Sequence, residues 1–171
     1  MPTILIVEDD EFKQRRIEQV VRDTVPEAAI ISERAVNSGL IAIEKRRLDL
    51  ILLDMSLTTF AVGPGEPGGR PRNFGGLEIL RQMQRKGIVV PVIVITQHER
   101  FAKGNQEVHL NTVRRELTEE HSQLYRGLIY YNSAAGDWEK DLRGKLARVL
   151  GLKGETGADK GSGRRRRDRK N

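Results

Sequence analysis

The chain has 171 residues, 37% of them apolar, which is enough for one hydrophobic core and predicts a single domain with additional segments. It contains no cysteine, so disulfides and thiol chemistry are excluded and a reducing cytoplasm is the expected compartment. The formal net charge is +6, but residues 151–171 hold eight Lys or Arg and three acids, so the part before them is close to neutral.

The first half of the chain alternates between apolar runs and amphipathic stretches. Residues 3–7 fit a buried strand, and this run is too short for a signal peptide or a membrane span, so we expect a soluble protein without membrane contact. A helical pattern follows and ends near Pro26. Its predicted inward face consists of Phe12, Ile17, Val20 and Val21. The next predicted elements are a strand at 28–31, a helix at 37–47 and a strand at 50–53.

The second half begins with an interruption at 57–75, where Gly and Pro predict an inserted surface loop. Residues 63–68 spell G-x-G-x-x-G, but no strand leads into them, which favours a flexible insertion over a nucleotide site. Residues 98–126 are polar, and their apolar positions are spaced as in a long amphipathic helix. The other predicted elements are a helix from 77, a strand at 88–95, a strand at 128–131, a helix from 138 to 150 and a disordered basic tail at 151–171.

This alternation of strands and helices is typical of one architecture. It predicts an α/β domain over residues 1–150, with a doubly wound, five-stranded parallel sheet and right-handed crossovers.

Acidic side chains follow two strands that we expect to be neighbours in this sheet. Glu8, Asp9 and Asp10 come after the first strand and Asp54 after the third, and the carboxyl ends of such strands meet at one crevice. Carboxylates this close raise one another's pKa unless a cation neutralises them, and oxygen ligands suit Mg²⁺. A carboxylate beside metal-bound phosphate can attack phosphorus, and the hydroxyl of Thr96 would bind the phosphoryl group. Solvated acids at strand ends are the alternative.

Four segments together resemble the receiver domain of response regulators. They are residues 4–10, 52–55, 75–80 and 92–96, which read ILIVEDD, LLDM, GGLEIL and VIVIT. The resemblance covers about residues 3–150 and implies the flavodoxin-like receiver fold. In this chain the pattern would be interrupted by the loop at 57–75 and by an extended fourth helix at 98–126.

The resemblance also implies a role for each site residue. Asp54 would accept the phosphoryl group. Asp9, Asp54 and the backbone carbonyl of Ser56 would bind Mg²⁺, with Glu8 acting through a bound water. Thr96 would hydrogen-bond to a phosphoryl oxygen and shift on activation.

Several features depart from the family pattern, among them Thr58 in place of an expected Pro, and two further departures lie at the predicted site. Receivers carry a Lys at the end of the fifth strand, where it pairs with the phosphoryl group. Here residues 130–134 read YYNSA, and the next lysine is Lys140, in the last predicted helix. Asn132 or Ser133 would take the place without supplying a positive charge. The residue after Thr96 is normally small, whereas Gln97 is bulky enough to cover an acyl phosphate.

We therefore predict a stand-alone response regulator that is not an enzyme. A partner histidine kinase or phosphotransfer protein would phosphorylate Asp54 with Mg²⁺, and the modified surface would bind a downstream effector protein, as in a two-component phosphorelay. The chief alternative is a pseudo-receiver, which partners read without phosphorylation. A phosphohydrolase using Asp54 is disfavoured, because Ser56 stands where the haloacid-dehalogenase pattern has a second Asp.

Two further alternatives concern partners. The arginine run at 164–167 could contact nucleic acid through phosphates, as in a tail-mediated adaptor, although a solvated tail is favoured. The apolar stripe between Leu110 and Leu128 is expected to pack in the core, with a homodimer or a partner groove as the alternative.

Overall fold

The computed structural model describes residues 1–59, 74–103 and 105–153. The strands are β1 (Thr3–Val7), β2 (Ala29–Glu33), β3 (Leu50–Leu53), β4 (Val92–Thr96), β5 (Arg100–Lys103), β6 (Gln106–His109) and β7 (Tyr125–Tyr130). The helices of these ranges are α1 (Glu11–Thr24), α2 (Val36–Lys45), α3 (Gly75–Arg85), α4 (Leu110–Glu120) and α5 (Asp137–Leu150). Most of the predicted loop at 57–75, and the predicted tail from residue 154 onward, lie outside the described residues.

Five parallel strands form the main sheet in the order β2-β1-β3-β4-β7, which confirms the predicted doubly wound α/β fold. Side chains of β1 alternate between two apolar layers, with Leu5 and Val7 in one and Ile4 and Ile6 in the other. Helices α2, α3 and α4 cover the first layer, and α1 and α5 cover the second. The central strands are buried on both faces, which explains their uninterrupted apolar runs. Within the described ranges, no helix is long and apolar enough to cross a lipid bilayer.

The prediction of an extended fourth helix over 98–126 is wrong. Strands β5 and β6 pair as an antiparallel hairpin, and α4 has only 11 residues before the chain turns into β7. Val113 and Leu117 do form the buried face of α4, but Leu124 precedes β7 and Leu128 lies within it. The regular apolar spacing therefore combined a helix, a turn and a strand that all contribute to one core.

The inward face of α1 also differs from the prediction. Phe12 is 65% exposed, whereas Lys13 is 1% exposed. The buried residues of this helix are Lys13, Ile17, Val20 and Val21. These positions keep the helical period, so a lysine occupies the first place of the apolar stripe.

Candidate functional site

The predicted acids meet at the carboxyl ends of β1 and β3. Glu8 and Asp9 follow β1 directly, and Asp54 follows β3 in the adjacent register, where its backbone N–H donates to Val7 O at 3.0 Å. One carboxylate oxygen from each of the three acids lies within 4.8 Å of the others. Glu8 and Asp54 are buried, and Asp9 is half-buried. The structure thus brings together three of the four acids that the sequence assigned to one crevice, and Asp10 is not part of this group.

Asp10, the last acid of the run after β1, caps helix α1. It is the N-cap of α1, and its side-chain oxygen accepts a hydrogen bond from the Lys13 N–H at 2.9 Å. Its own N–H donates to Glu8 Oε1 at 3.1 Å. A cap of this kind fixes where the helix begins and therefore which residues its first turn presents to the crevice.

The residue so placed is Lys13, which the sequence interpretation missed. Its ammonium lies 2.5 Å from Glu8 Oε2 and 3.2 Å from Asp54 Oδ1, and it donates to Ile95 O at 2.9 Å. One buried cation therefore contacts the ends of β1, β3 and β4. A signal was present in the sequence: Lys13 stands four residues before Ile17 and seven before Val20, on the buried stripe of α1.

Burial raises the pKa of both acids that contact Lys13. Burial, followed by repulsion from Asp54, raises the pKa of Glu8 to about 8 against the opposing effect of Lys13. The pKa of Asp54 is also raised by burial, although Lys13 opposes the shift. Burial alone would lower the pKa of Lys13, but the charges of Asp54 and Glu8 outweigh it and raise the value. The lysine is therefore charged at neutral pH, and the acids remain incompletely neutralised.

This donor set fits a divalent cation. With all four groups ionised, Glu8, Asp9 and Asp54 against Lys13 leave a formal charge of −2, and carboxylate oxygens are the ligands that Mg²⁺ prefers. Glu8 Oε2 and Asp54 Oδ1 are buried without a hydrogen bond of good geometry, so Lys13 satisfies them only as an ion pair. Ser56 is half-buried, and its backbone N–H hydrogen-bonds to the Asp54 carboxylate. Its carbonyl as a metal ligand stays a prediction.

Helix α3 packs directly on the segment that carries Asp54. The Gly76 N–H donates to Met55 O at 3.0 Å. A Cβ at Gly76 would lie 2.3 Å from Asp54 O and 3.0 Å from Met55 Cα, so a side chain at this position would displace one of the two backbones. The close packing of Gly76 on this segment therefore helps to fix the backbone that carries Asp54.

Thr96 stands at the end of β4, the other neighbour of β3, and is fully buried. Its hydroxyl oxygen accepts a hydrogen bond from the His98 N–H at 3.2 Å, which leaves the hydroxyl hydrogen to donate. The carbonyl that Lys13 contacts belongs to the preceding residue, Ile95. Gln97 is exposed. Lys13 therefore contacts both Asp54 and the residue before Thr96.

The end of β7, where the resemblance implies a lysine, presents an aromatic residue. Tyr131 is buried, and its ring centroid lies 5.7 Å from Lys13 Nζ. Asn132 and Ser133, the predicted substitutes, are exposed. The Asn132 side-chain oxygen accepts the Ala134 N–H at 3.0 Å, and Ser133 O accepts from Arg16 at 3.0 Å. Asn132 thus forms a local turn bond and Ser133 binds Arg16 through its backbone carbonyl, whereas the buried positive charge beside Asp54 comes from Lys13 in α1.

No model of a known protein family matches the sequence. Among curated proteins, the chain is similar to the Detocs response regulatory protein DtcB of Enterobacter cloacae (strain JD6301), with 24% identity over 148 residues, covering 85% of this chain and 99% of that protein. The protein of the same name from Vibrio alginolyticus is 26% identical over 133 residues, covering 75% and 88%. An uncharacterised protein, y4jR of Sinorhizobium fredii (strain NBRC 101917 / NGR234), is 25% identical over 142 residues, covering 81% and 93%.

Solved structures with the same fold include response regulators. The Mn²⁺-bound form of response regulator Rcp1 aligns with a TM-score of 0.61 and 17% identity, covering 90% of this chain and 98% of that one. The phosphorylated cyanobacterial phytochrome response regulator RcpA aligns with a TM-score of 0.57 and 18% identity, covering 87% and 94%. These comparisons confirm the resemblance to receiver domains and the flavodoxin-like receiver fold.

Proposed function

We propose that this chain is a signalling response regulator that accepts a phosphoryl group on Asp54, with Mg²⁺, from a partner histidine kinase or phosphotransfer protein in the cytoplasm. The observation that carries the proposal is the buried Asp54 carboxylate at the end of β3, grouped with Glu8 and Asp9 and in contact with a buried ammonium. The names of the DtcB relatives support a response-regulator role, and the RcpA structure is that of a phosphorylated protein.

The proposed reaction is a phosphoryl transfer to a carboxylate. An oxygen of Asp54 forms a bond to phosphorus while the P–N bond of the donor phosphohistidine breaks; the imidazole keeps the electron pair and takes up a proton. Glu8, Asp9 and Asp54 would hold Mg²⁺, which neutralises phosphate oxygens when bound. Because the phosphoryl group remains on the protein, the chain acts as a substrate and switch rather than an enzyme.

The surface that responds is proposed to begin immediately after Thr96. Strand β5 starts four residues further on, and its Phe101 is buried against Phe74, the residue before α3, with ring centroids 5.4 Å apart. A shift of Thr96 toward a phosphoryl oxygen would therefore move the base of the β5–β6 hairpin. We propose that this hairpin, with α4, forms the surface read by an effector protein.

Intact-mass spectrometry tests the acceptor. The protein is incubated with Mg²⁺ and acetyl phosphate, and in parallel with phosphoramidate, which carries a P–N bond like phosphohistidine. We expect one phosphoryl adduct on the wild type and none on Asp54→Asn or in EDTA. Asp49→Asn, which removes an acid from the opposite end of β3, is the matched control and should be modified like the wild type. A folded wild type without an adduct from either donor would contradict the proposal.

One observation favours a second candidate, the pseudo-receiver. The Lys13 ammonium already bridges Glu8 and Asp54, so the buried acids have a cationic partner without a metal ion. In that function partners would bind the unmodified surface. Calorimetric titration separates the two: a pseudo-receiver binds no Mg²⁺ at millimolar concentration, whereas the acceptor site binds it and loses that binding in Asp54→Asn.

A further inference from the structure

We propose that Lys13 is the residue that binds the phosphoryl group carried by Asp54, so that the first turn of α1 supplies the positive charge of this site. The inference deepens the proposed function and rests on it. It is based on the position of the Lys13 ammonium, which is buried and lies 3.2 Å from Asp54 Oδ1.

The ammonium is aimed by contacts on every side. It forms ion pairs with Glu8 Oε2 and Asp54 Oδ1 and donates a hydrogen bond to Ile95 O. Its helix is held in register by the Asp10 cap. A cation held in this way lies beside Asp54 before negative charge develops on a phosphoryl group there, which favours electrostatic stabilisation.

The aromatic side of the site holds the lysine in place. The Tyr131 ring lies 5.7 Å from the ammonium and packs against Trp138 with centroids 4.8 Å apart. Arg16, one turn further along α1, stacks over both rings and pairs with Glu139 at 2.9 Å. At the strand end where the resemblance implies a lysine, the chain therefore has Tyr131, whose ring packs beside Lys13 from α1.

Charge explains why Lys13 complements a metal ion rather than replacing it. The ammonium pairs with two of the three clustered acids and offsets one negative charge, which leaves a formal −2 when all three acids are ionised. A divalent cation and an ammonium together would bring the formal charge of this group to zero, so the incoming phosphoryl oxygens would no longer meet a net negative charge. The two cations repel one another, so removing Lys13 should strengthen Mg²⁺ binding while it weakens phosphoryl binding. A lysine with only a packing role would not move the two affinities in opposite directions.

The test compares Lys13→Met with Lys140→Met, which removes an exposed lysine from α5. For each folded variant we measure Mg²⁺ affinity by calorimetry, the rate of adduct formation with acetyl phosphate, and the affinity for beryllofluoride, a phosphoryl mimic. Lys13→Met should bind Mg²⁺ about tenfold more tightly, and should lose at least about tenfold in both adduct rate and beryllofluoride affinity. Lys140→Met should match the wild type in all three.

A second pair keeps the test decisive if Lys13→Met does not fold. Glu8→Gln/Lys13→Met has the same formal charge as the wild type, and it is compared with Glu8→Gln alone. Relative to Glu8→Gln, the double variant should bind Mg²⁺ more tightly, form the adduct more slowly and bind beryllofluoride more weakly. Unchanged phosphoryl binding, or parallel loss of Mg²⁺ and phosphoryl binding, overturns the role of Lys13 while the proposed function stands. A wild type that takes up no phosphoryl group overturns both.

Discussion

Replacing Lys13 with Met should destabilise the metal-free protein far more than the loss of a surface lysine. Methionine keeps the unbranched shape of the side chain and removes only its charged end. Lys13, Glu8 and Asp54 are 1%, 2% and 4% exposed, so the cluster is effectively removed from water. Removing one partner of a buried ion pair costs about 3–5 kcal/mol, because the remaining charge has no compensation. Two acids lose their partner here, so we expect a loss within that range.

Urea unfolding in EDTA, followed by the fluorescence of Trp138, measures this loss. Trp138 is the single tryptophan, and its ring is packed beside Tyr131 and Arg16. Combining Lys13→Met with Glu8→Gln should recover part of the stability, with a coupling energy of about 1–3 kcal/mol, because one of the uncompensated acids is gone. Mg²⁺ at about 100 times its dissociation constant should add about 2.7 kcal/mol to the wild type.

The outcome that refutes this reasoning is simple. If Lys13→Met costs no more than Lys140→Met, within about 0.5 kcal/mol, the ammonium does not stabilise the acids. Full additivity of the Glu8 and Lys13 substitutions would lead to the same conclusion.

Three further predictions use the same unfolding assay. Gly76→Ala should cost about 1–3 kcal/mol and slow adduct formation, because its Cβ would lie 2.3 Å from Asp54 O; an unchanged midpoint would contradict the close contact. Tyr131→Phe should be neutral or stabilising by up to about 1 kcal/mol, because the buried hydroxyl has no hydrogen-bond partner among the residues that the structure describes. Burial lowers the pKa of His121 below 6.5, so its contribution is present above pH 6.5 and is lost as the pH falls through the folded-state value; His121→Phe should lose less stability than the wild type between pH 7.5 and 5.

The sequence predicted the fold well where buried apolar runs recur at intervals along the chain. In a chain that alternates between strands and helices, an apolar run such as 50–53 indicates a strand that is covered on both faces. The acids that follow the runs at 3–7 and 50–53 then lie at the same edge of the sheet. The stretch from 98 to 126 failed because periodicity reports which residues are buried and not which element buries them. Phe101 on the hairpin and Leu117 on α4 reach the same core from different elements.

Lys13 was missed for a related reason, since a charge between apolar positions is normally assigned to solvent. Phe12, the adjacent apolar residue, took its place in the predicted stripe, although residues 13, 17 and 20 keep the helical spacing better. Burial of a lysine is tolerated here because Glu8 and Asp54 both contact it. Glu8 lies five residues earlier, but the approach of Asp54 depends on the sheet order, which the local sequence does not reveal.

The position of Lys13 also explains how one short segment builds most of the site. Glu8 and Asp9 end β1, Asp10 caps α1, and Lys13 returns to the crevice from the first turn of that helix. Charge and counter-charge therefore arise within six consecutive residues, and β3 needs to contribute only Asp54. Because the lysine rides on α1 and contacts Ile95 O, a phosphoryl group that draws it away from that carbonyl would act on β4 at the residue before Thr96. We therefore expect the response of Thr96 to depend on the position of α1 in this chain, and the Lys13→Met variant should weaken that dependence even where Asp54 is still modified.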